Sequence, residues 1–171
     1  MLLRVCTFCR QPLEQTSKDP RYLERVTHGI CGQCAERYLA GSGESMQAFL
    51  DCIKSPVLLV DDDGRPLLAN HAAHDVLTPN MLSNLGSYGG EVFGCIHADN
   101  PERCGQTVHC KSCTIRNAVE HTRDTGQATI NIPALAELAS VTGSDKICFH
   151  ISTEKVGDYI LLRIDDIDRA A

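Results

Sequence analysis

The sequence predicts an α+β fold in which one antiparallel sheet is flanked by helices and preceded by a small cysteine-rich module. Two short apolar runs flank an acidic, glycine-containing corner at residues 61–64, a pattern typical of two strands joined by a turn. Residues 114–125 have helical periodicity, and three segments in the last third alternate apolar and polar residues. Two strands, then helices, then three more strands indicate a single five-stranded sheet.

The chain is predicted to have three parts. Residues 1–40 carry two cysteine pairs and little apolar periodicity, and the GSGES segment at 41–45 is a short flexible joint. Four apolar residues then recur with the i, i+3, i+4, i+7 spacing of a helix: Met46, Phe49, Leu50 and Ile53. The joint and this amphipathic helix form a linker over 41–54, and residues 55–167 form the main domain.

The main domain begins with SPVLLVDDDGRPLLAN, which predicts two strands on either side of an Asp-Gly corner. AAHDVL predicts a brief helix that stops at a Thr-Pro pair, because the residue before proline disfavours helical geometry. Residues 80–113 are rich in Gly, Asn and Cys. Unless an internal tether holds this segment, we expect it to be irregular. The helix at 114–125 follows, with Gly126 as its stop.

The last three strands are predicted from period-two alternation. The alternating apolar residues are Ala128, Ile130 and Ile132; Ile147, Phe149 and Ile151; and Ile160, Leu162 and Ile164. Between the first two groups, PALAELAS at 133–140 predicts a helical turn in the connection.

Composition and charge limit the function. The chain has 171 residues, 43% of them apolar, which is enough for a buried core. A net charge of −6 argues against a general phosphate-binding surface, so no nucleic-acid partner is expected. The N-terminal segment has too few consecutive apolar residues for a signal peptide, and no apolar run reaches membrane-spanning length. We therefore expect a cytoplasmic protein without a membrane partner, in which ten cysteines indicate metal or redox chemistry rather than disulfides.

SPVLLVDDDGRPLLANHAAHDVL resembles the opening of a PAS domain, in which a strand, a D-x-D-G turn, a second strand and an Asn-x-Ala-Ala helix start follow in order. The resemblance covers residues 46–167 and implies a PAS-like five-stranded antiparallel sheet in a non-enzymatic sensory protein. The Cys-rich insertion at 94–113 departs from an ordinary PAS domain. It is similar to a subset with G-x-V-F-G-C and H-C-x-x-C-x-I-R, at a place that borders the ligand cavity in the family.

CTFCRQPLEQ and THGICGQCAERYL resemble the two halves of a cysteine-rich module attached to bacterial response regulators and PAS proteins. Cys6, Cys9, Cys31 and Cys34 form two C-x2-C pairs 21 residues apart, from which four thiolates complete a tetrahedral zinc shell. Metal binding would supply the folding free energy of this zinc-ribbon-like module. His28 is expected beside the site rather than as a ligand. A thioredoxin-type dithiol at the second pair and a set of unliganded thiols are the alternatives.

Four more cysteines lie in the insertion: Cys95, Cys104, Cys110 and Cys113. Their C-x8-C-x5-C-x2-C spacing is neither a c-type haem motif nor the usual bacterial ferredoxin run. Four thiolates hold either zinc or an iron–sulfur cluster, and the ligand set alone does not separate the two; free thiols are the third reading. The last two precede the predicted helix, whose N-terminus favours thiolate. His97 and His109 are expected outside the ligand set, and the isolated Cys52 and Cys148 are expected to be small buried apolar residues.

Together these features predict a bacterial signalling protein whose PAS-like domain binds a Cys-ligated centre for redox or gas sensing. If this site binds zinc instead, the metal would have a structural role in holding the long loop. Output would pass to a protein partner such as a signalling kinase or regulator, and a homodimer contacting along the helix at 45–54 is expected. The alternatives are a thiol-disulfide or electron-transfer protein that uses the CxxC pairs, and a zinc-stabilised adaptor with an empty PAS fold.

Overall fold

A computed structural model of the protein describes most of the chain: residues 3–6, 9–13, 26–29, 31, 33–34, 46–77, 79–98, 104–140 and 143–169. The predicted joint at 41–45 and the side chain of His28 lie outside what is described. The strands form two sheets, one of two strands and one of five.

The small sheet belongs to the N-terminal module. Strand β1 (Leu3–Cys6) pairs in parallel with β2 (Val26–Gly29), and Cys6 lies opposite Gly29. Because parallel strands end at the same edge of a sheet, the C-x2-C segment that begins at the end of β1 meets the one that follows β2.

The large sheet is antiparallel throughout. It contains β3 (Val57–Val60), β4 (Pro66–Ala69), β5 (Thr129–Ser140), β6 (Gly143–Val156) and β7 (Tyr159–Arg169). The strands lie in the order β4-β3-β7-β6-β5. The first and last strands are therefore neighbours in the middle of the sheet. This confirms the predicted α+β fold with a PAS-like five-stranded antiparallel sheet and flanking helices.

Helix α1 (Met46–Asp51) precedes the large sheet. The helices between β4 and β5 connect the two halves of this sheet, and they are α2 (His71–His74), α3 (Pro79–Ser83), α4 (Gly89–Phe93), a 3₁₀ helix (Val108–Ser112) and α5 (Thr114–Thr125). Helix α5 confirms the prediction for 114–125, and it ends at Gly126, whose φ of +72° suits glycine. Within the described part of the chain, no helix is both long and apolar enough to cross a bilayer.

Asn70 fixes the entry to the large sheet. Its side chain is fully buried, accepts hydrogen bonds from the backbone N–H groups of Val57 and Ala73, and donates to the carbonyl oxygens of Ile53 and Ser55. The residue therefore caps α2 while holding the end of the α1 segment to the start of β3. The Asn of the Asn-x-Ala-Ala motif thus has a structural role at this corner.

The prediction of a helical turn at 133–140 was wrong, because this segment is the continuation of β5. Residues from Pro133 to Ser140 pair with β6, and Ala134 and Leu138 are buried while Leu135 is exposed. The alanines and leucines of PALAELAS have high helix propensity, but the long pairing partner β6 satisfies the backbone in an extended form.

Residues 80–113 were predicted to be irregular unless an internal tether held them, and the structure shows short helices within this segment. Helices α3 and α4 and the 3₁₀ helix each contain five residues, too few to show apolar periodicity in sequence. The segment does have a tether. The backbone N–H of Ile96 donates to the carbonyl oxygen of Glu137, and Cys95 forms an isolated bridge with Leu138 of β5.

Both faces of β3 are buried, although an antiparallel sheet often has one face in water. Leu58 and Val60 belong to the main core, where helices α4 and α5 cover the inner face of the sheet. Val57 and Leu59 point to the outer face and form a second cluster with α1 and Cys6. The N-terminal module and α1 therefore cover the face that lies opposite the main core.

Candidate functional site

The first four cysteines meet at the edge of the small sheet. The sulfur atoms of Cys6, Cys9, Cys31 and Cys34 all lie within 4.8 Å of one another, and those of Cys9 and Cys31 are 3.7 Å apart. Four sulfurs around one zinc ion at about 2.3 Å lie about 3.8 Å from each other. The predicted set is therefore brought together at a separation that fits a single tetrahedral ion.

The local electrostatics of this quartet also match a cation site. Burial and the neighbouring thiols raise the pKa of Cys34 to about 12. For Cys9, the N–H of Gln11 lowers the pKa, but partial desolvation and the thiols of Cys6 and Cys31 outweigh it, so the pKa is raised. Four adjacent thiols resist joint ionisation because their charges repel, whereas a divalent cation stabilises all four thiolates. The donor set fits zinc, whose binding here would release protons.

The second four cysteines line one cavity of about 820 Å³ between the sheet and helices α4 and α5. Cys95 follows α4, Cys110 lies in the 3₁₀ helix, and Cys113 directly precedes α5. Apolar residues also line this cavity, among them Val60, Phe93, Val119 and Leu162. The fold thus brings thiols that are distant in sequence to a common space, while their binding of a cofactor stays a prediction.

These thiols are not gathered as tightly as the first four. Across the described ranges, only the N-terminal quartet brings three or more possible ligand atoms of Cys, His, Asp or Glu within 4.8 Å of one another. The cavity quartet therefore forms no closed shell for a single ion in this structure.

Among the cavity cysteines, the sulfur of Cys110 has hydrogen-bonding neighbours from both the backbone and a side chain. Its sulfur accepts a hydrogen bond from the N–H of Gly105 at 3.1 Å and lies 3.2 Å from the hydroxyl of Thr107. Burial alone would raise the pKa of Cys110, but Thr107, Gly105 and the charge of Arg116 outweigh it and hold the pKa below its usual value. These contacts favour the thiolate form of Cys110, which is the form that binds metals.

Cys104 and Cys95 lie in less polar surroundings. The sulfur of Cys104 accepts a hydrogen bond from the N–H of Gly90 at 3.1 Å, yet burial raises the pKa of both thiols. Gly90 permits this contact because a Cβ there would lie 2.8 Å from the sulfur of Cys104. A glycine is therefore required where the loop crosses the start of α4.

Arg116 joins the insertion to α5. Its guanidinium donates to the carbonyl oxygen of Gly105 and to Glu120, with 2.6 Å between Nε and the carboxylate oxygen. Sequence reasoning missed Thr107, Gly105 and Arg116 as site residues. Arg116 was nevertheless visible as the last letter of the H-C-x-x-C-x-I-R motif, whereas nothing in the spacing singles out Thr107.

Two histidines stand at the rim of the cavity. The rings of His97 and His109 stack with their centroids 3.9 Å apart and an angle of 8° between them. His97 also lies 3.9 Å from a carboxylate oxygen of Glu137 on β5. The pair therefore connects two ends of the insertion to the edge strand, which is compatible with the prediction that neither histidine is a ligand.

The two isolated cysteines are not buried, so this prediction was wrong. Cys52 is exposed just after α1 and donates to the carbonyl oxygen of Ala48, and Cys148 on β6 is partly exposed. Cys52 lies four residues after Ala48, and both residues are exposed.

No protein-family model matches the chain, and no curated protein matches it. Among solved structures, the PAS domain of a protein from Desulfitobacterium hafniense is 17% identical, with 72% of this chain and 99% of that chain covered and a TM-score of 0.34. The PAS domain of BvgS from Bordetella pertussis is 16% identical, with 77% and 86% covered and a TM-score of 0.35. The assignment of a PAS-like fold comes from the order and direction of the five strands rather than from these two likenesses.

Proposed function

We propose that this chain is a cytoplasmic bacterial sensory protein whose PAS-like domain holds an iron–sulfur cluster on Cys95, Cys104, Cys110 and Cys113. In this proposal the cluster responds to redox state or to a gas such as oxygen or nitric oxide. The N-terminal quartet holds a zinc ion with a structural role. A PAS-like fold is typical of sensory and signalling domains, and a cavity lined by four thiols is the feature of this fold that offers chemistry.

The convergence of four thiols on one cavity is the observation that carries the proposal. They line one cavity, yet they do not meet at the separation that one tetrahedral ion requires. An iron–sulfur cluster binds its thiolates through different iron atoms, so its ligands lie further apart than those of a single zinc ion. Four thiols that line one cavity without closing on a single ion are compatible with such a cluster.

The surrounding residues suit a thiolate-ligated centre. A cluster bound there would supply one-electron redox chemistry, whose potential depends on hydrogen bonds to the sulfurs and on solvent access. Gly105, Thr107 and Gly90 provide hydrogen bonds to two of the four sulfurs, and Arg116 adds a positive charge beside them. The cavity is also lined by the apolar side chains of Val60, Val119 and Leu162, which provide no hydrogen bonds to water.

The elements that carry the cysteines would transmit a change in the centre. Cys95 bridges to Leu138 on β5, and Cys113 starts helix α5, which packs on the sheet. A change in cluster state shifts this arrangement only if the cluster binds two positions of these elements with unequal affinity. We propose that the output goes to a protein partner, such as a signalling kinase or regulator, from a homodimer of this chain.

Metal analysis of anaerobically purified protein tests the proposal. We expect a brown protein that contains iron and acid-labile sulfide together with one zinc ion per chain. In Cys110→Ser the iron and sulfide should be lost while zinc is retained. Cys148→Ser is the matched control and should retain both, because Cys148 does not line the cavity.

Other metal contents would point to the alternatives. Two zinc ions per chain without iron would support a zinc-stabilised adaptor, and a metal-free chain with reactive CxxC pairs would support a thiol-disulfide protein. Loss of both metals in Cys110→Ser would contradict the division of the eight cysteines into two sets.

A further inference from the structure

The four thiols of the N-terminal quartet differ in their access to solvent. Cys6 is fully buried, Cys31 and Cys34 are partly buried, and Cys9 is exposed. The sulfur of Cys9 lies 3.7 Å from that of Cys31, and these two come from different C-x2-C pairs. An exposed sulfur in contact with a second one is the arrangement from which a disulfide forms.

We propose that Cys9 and Cys31 are an oxidant-sensitive pair, which a hydroperoxide converts to a disulfide with release of the metal. This inference rests on the proposed zinc ion at the quartet, and it gives that centre a regulatory role beyond its structural one. A disulfide needs about 2.05 Å between the sulfurs, so the two atoms must approach each other by about 1.7 Å.

The reaction has two steps, and hydrogen peroxide is the simplest oxidant. The thiolate of Cys9 attacks one peroxide oxygen, the O–O bond breaks, and hydroxide leaves as water after taking a proton. The thiolate of Cys31 then attacks the sulfur of the Cys9 sulfenic acid, the S–S bond forms, and the S–O bond breaks with loss of a second hydroxide. Two thiolates lose two electrons in total, and one peroxide and two protons become two water molecules.

Burial excludes Cys6 as the thiol that reacts first with peroxide. Cys6 belongs to the apolar cluster with Phe49, Leu59 and Leu161, where a peroxide in solution does not reach its sulfur. The sulfur of Cys6 also accepts a hydrogen bond from the backbone N–H of Cys31 at 3.5 Å, which holds it toward the second pair. Attack therefore begins at Cys9, the most exposed of the four thiols. All four sulfurs lie within 4.8 Å of one another, and the 3.7 Å separation of Cys9 from Cys31 is the basis for choosing Cys31 as the second thiol.

Oxidation would act on the outer face of the large sheet. After the disulfide forms, Cys6 and Cys34 remain as the only ligands of the quartet, too few for a structural zinc site. Both residues contact the cluster that contains Val57 and Leu59 on β3. Loss of the metal therefore weakens the packing of the N-terminal module on the outer face of the sheet. The cavity quartet lies against the opposite face.

Zinc release and disulfide mapping on the full, reduced chain test this inference. Hydrogen peroxide is added in stoichiometric steps, a chromogenic chelator reports free zinc, and mass spectrometry of a non-reduced digest identifies the disulfide. We expect one zinc ion released per Cys9–Cys31 disulfide, with rebinding after reduction in the presence of zinc.

Two histidine variants separate the pair from the metal site, because histidine retains a zinc ligand and cannot form a disulfide. Cys9→His should bind zinc and keep it at peroxide levels that empty the wild-type site. Cys34→His is the matched control: it should bind zinc and still release it, since the Cys9–Cys31 contact remains. A Cys52→Ser background removes the other exposed thiol.

The outcomes separate this inference from the proposed function. If the reduced chain binds no zinc, the metal assignment fails and this inference fails with it. If zinc is present but the disulfide joins Cys6 to Cys9 or Cys31 to Cys34, only this inference is overturned. Equal zinc release from Cys9→His and wild type would also overturn it. Iron and sulfide are measured on the untreated reduced chain, so the cavity quartet is scored independently of the zinc and disulfide results.

Discussion

At the scale of single residues, Gly90 shows how closely the insertion packs on α4. A Cβ at this position would lie 2.8 Å from the sulfur of Cys104 and 3.3 Å from the Cβ of Ala98. We predict that Gly90→Ala displaces Cys104, lowers the iron content of the purified protein by at least half, and reduces the free energy of unfolding by about 1–3 kcal/mol. Metal analysis and urea unfolding measure the two effects.

Gly89→Ala provides the matched control for that prediction. A Cβ at Gly89 meets only the carbonyl oxygen of Gly64, at an ordinary 3.7 Å, and both glycines lie in the first turn of α4. Alanine is the better helix former by about 0.5–1 kcal/mol, so this variant should be as stable as wild type or slightly more so. Equal behaviour of the two variants would contradict the proposed contact with Cys104.

Thr107 sets the ionisation of Cys110. Its buried hydroxyl lies 3.2 Å from the sulfur, and hydrogen bonds to a thiolate stabilise the charged form. We predict that Thr107→Val raises the pKa of Cys110 in the reduced, metal-free protein, because the charged form loses one donor while the thiol does not. The pH profile of iodoacetamide labelling at Cys110 should therefore shift to higher pH.

Ser112→Ala is a suitable control for Thr107→Val. Ser112 is exposed and donates to the carbonyl oxygen of His109, within the same 3₁₀ helix but away from the sulfur. Its removal should leave the labelling profile unchanged. A profile that shifts equally in both variants would mean that the 3₁₀ helix as a whole, rather than the hydroxyl of Thr107, sets the pKa of Cys110.

At the scale of secondary-structure elements, the sequence predicts best where periodicity is long. Helix α5 and strands β6 and β7 contain 12, 14 and 11 residues, and the periodicity found within each of them was enough to predict it. The prediction of a helical turn at 133–140 was wrong because local propensity favours a helix there. The conformation of this segment depends instead on its pairing with β6. Helices α3 and α4 have five residues each, and tertiary contacts rather than periodicity define them.

Helix α5 is joined to β6 by a buried pair of hydroxyl groups. The hydroxyl oxygens of Thr122 and Thr153 are 2.6 Å apart and both side chains are fully buried. We predict that Thr122→Val and Thr153→Val each cost about 1–2 kcal/mol, because each leaves the other hydroxyl with fewer partners in the core. The double variant should cost about 1 kcal/mol less than the sum of the two.

A double-mutant cycle measured by urea unfolding tests this coupling. Thr125→Val is the control, since Thr125 is exposed at the end of the same helix and its loss should change stability by less than about 0.5 kcal/mol. Strict additivity of the two buried substitutions would show that these two hydroxyl groups do not stabilise each other.

At the scale of the whole molecule, the two cysteine quartets lie on opposite sides of the same strands. β3 and β7 carry Leu58 and Leu162 on the inner face and Leu59 and Leu161 on the outer face. The sequence indicated two quartets through their spacing, but their placement depends on how the module packs on the sheet. Cys6 shows the difference, because its spacing predicts a ligand and only the fold shows that it is also part of an apolar core.

This arrangement predicts that the N-terminal metal supports the whole domain and not only its own module. Cys6, Cys31 and Cys34 contact a cluster that includes α1, β3 and β7, so removal of zinc uncovers the middle of the sheet. We predict that a zinc chelator lowers the thermal midpoint of the reduced chain by about 4–8 °C, which corresponds to about 2 kcal/mol for a chain of this size. Cys34→Ser should unfold near the lower midpoint with or without chelator. A chelator that removes zinc but leaves the midpoint of the wild-type chain unchanged would show that the module folds independently of the sheet, and Val57 and Leu59 would then need another cover.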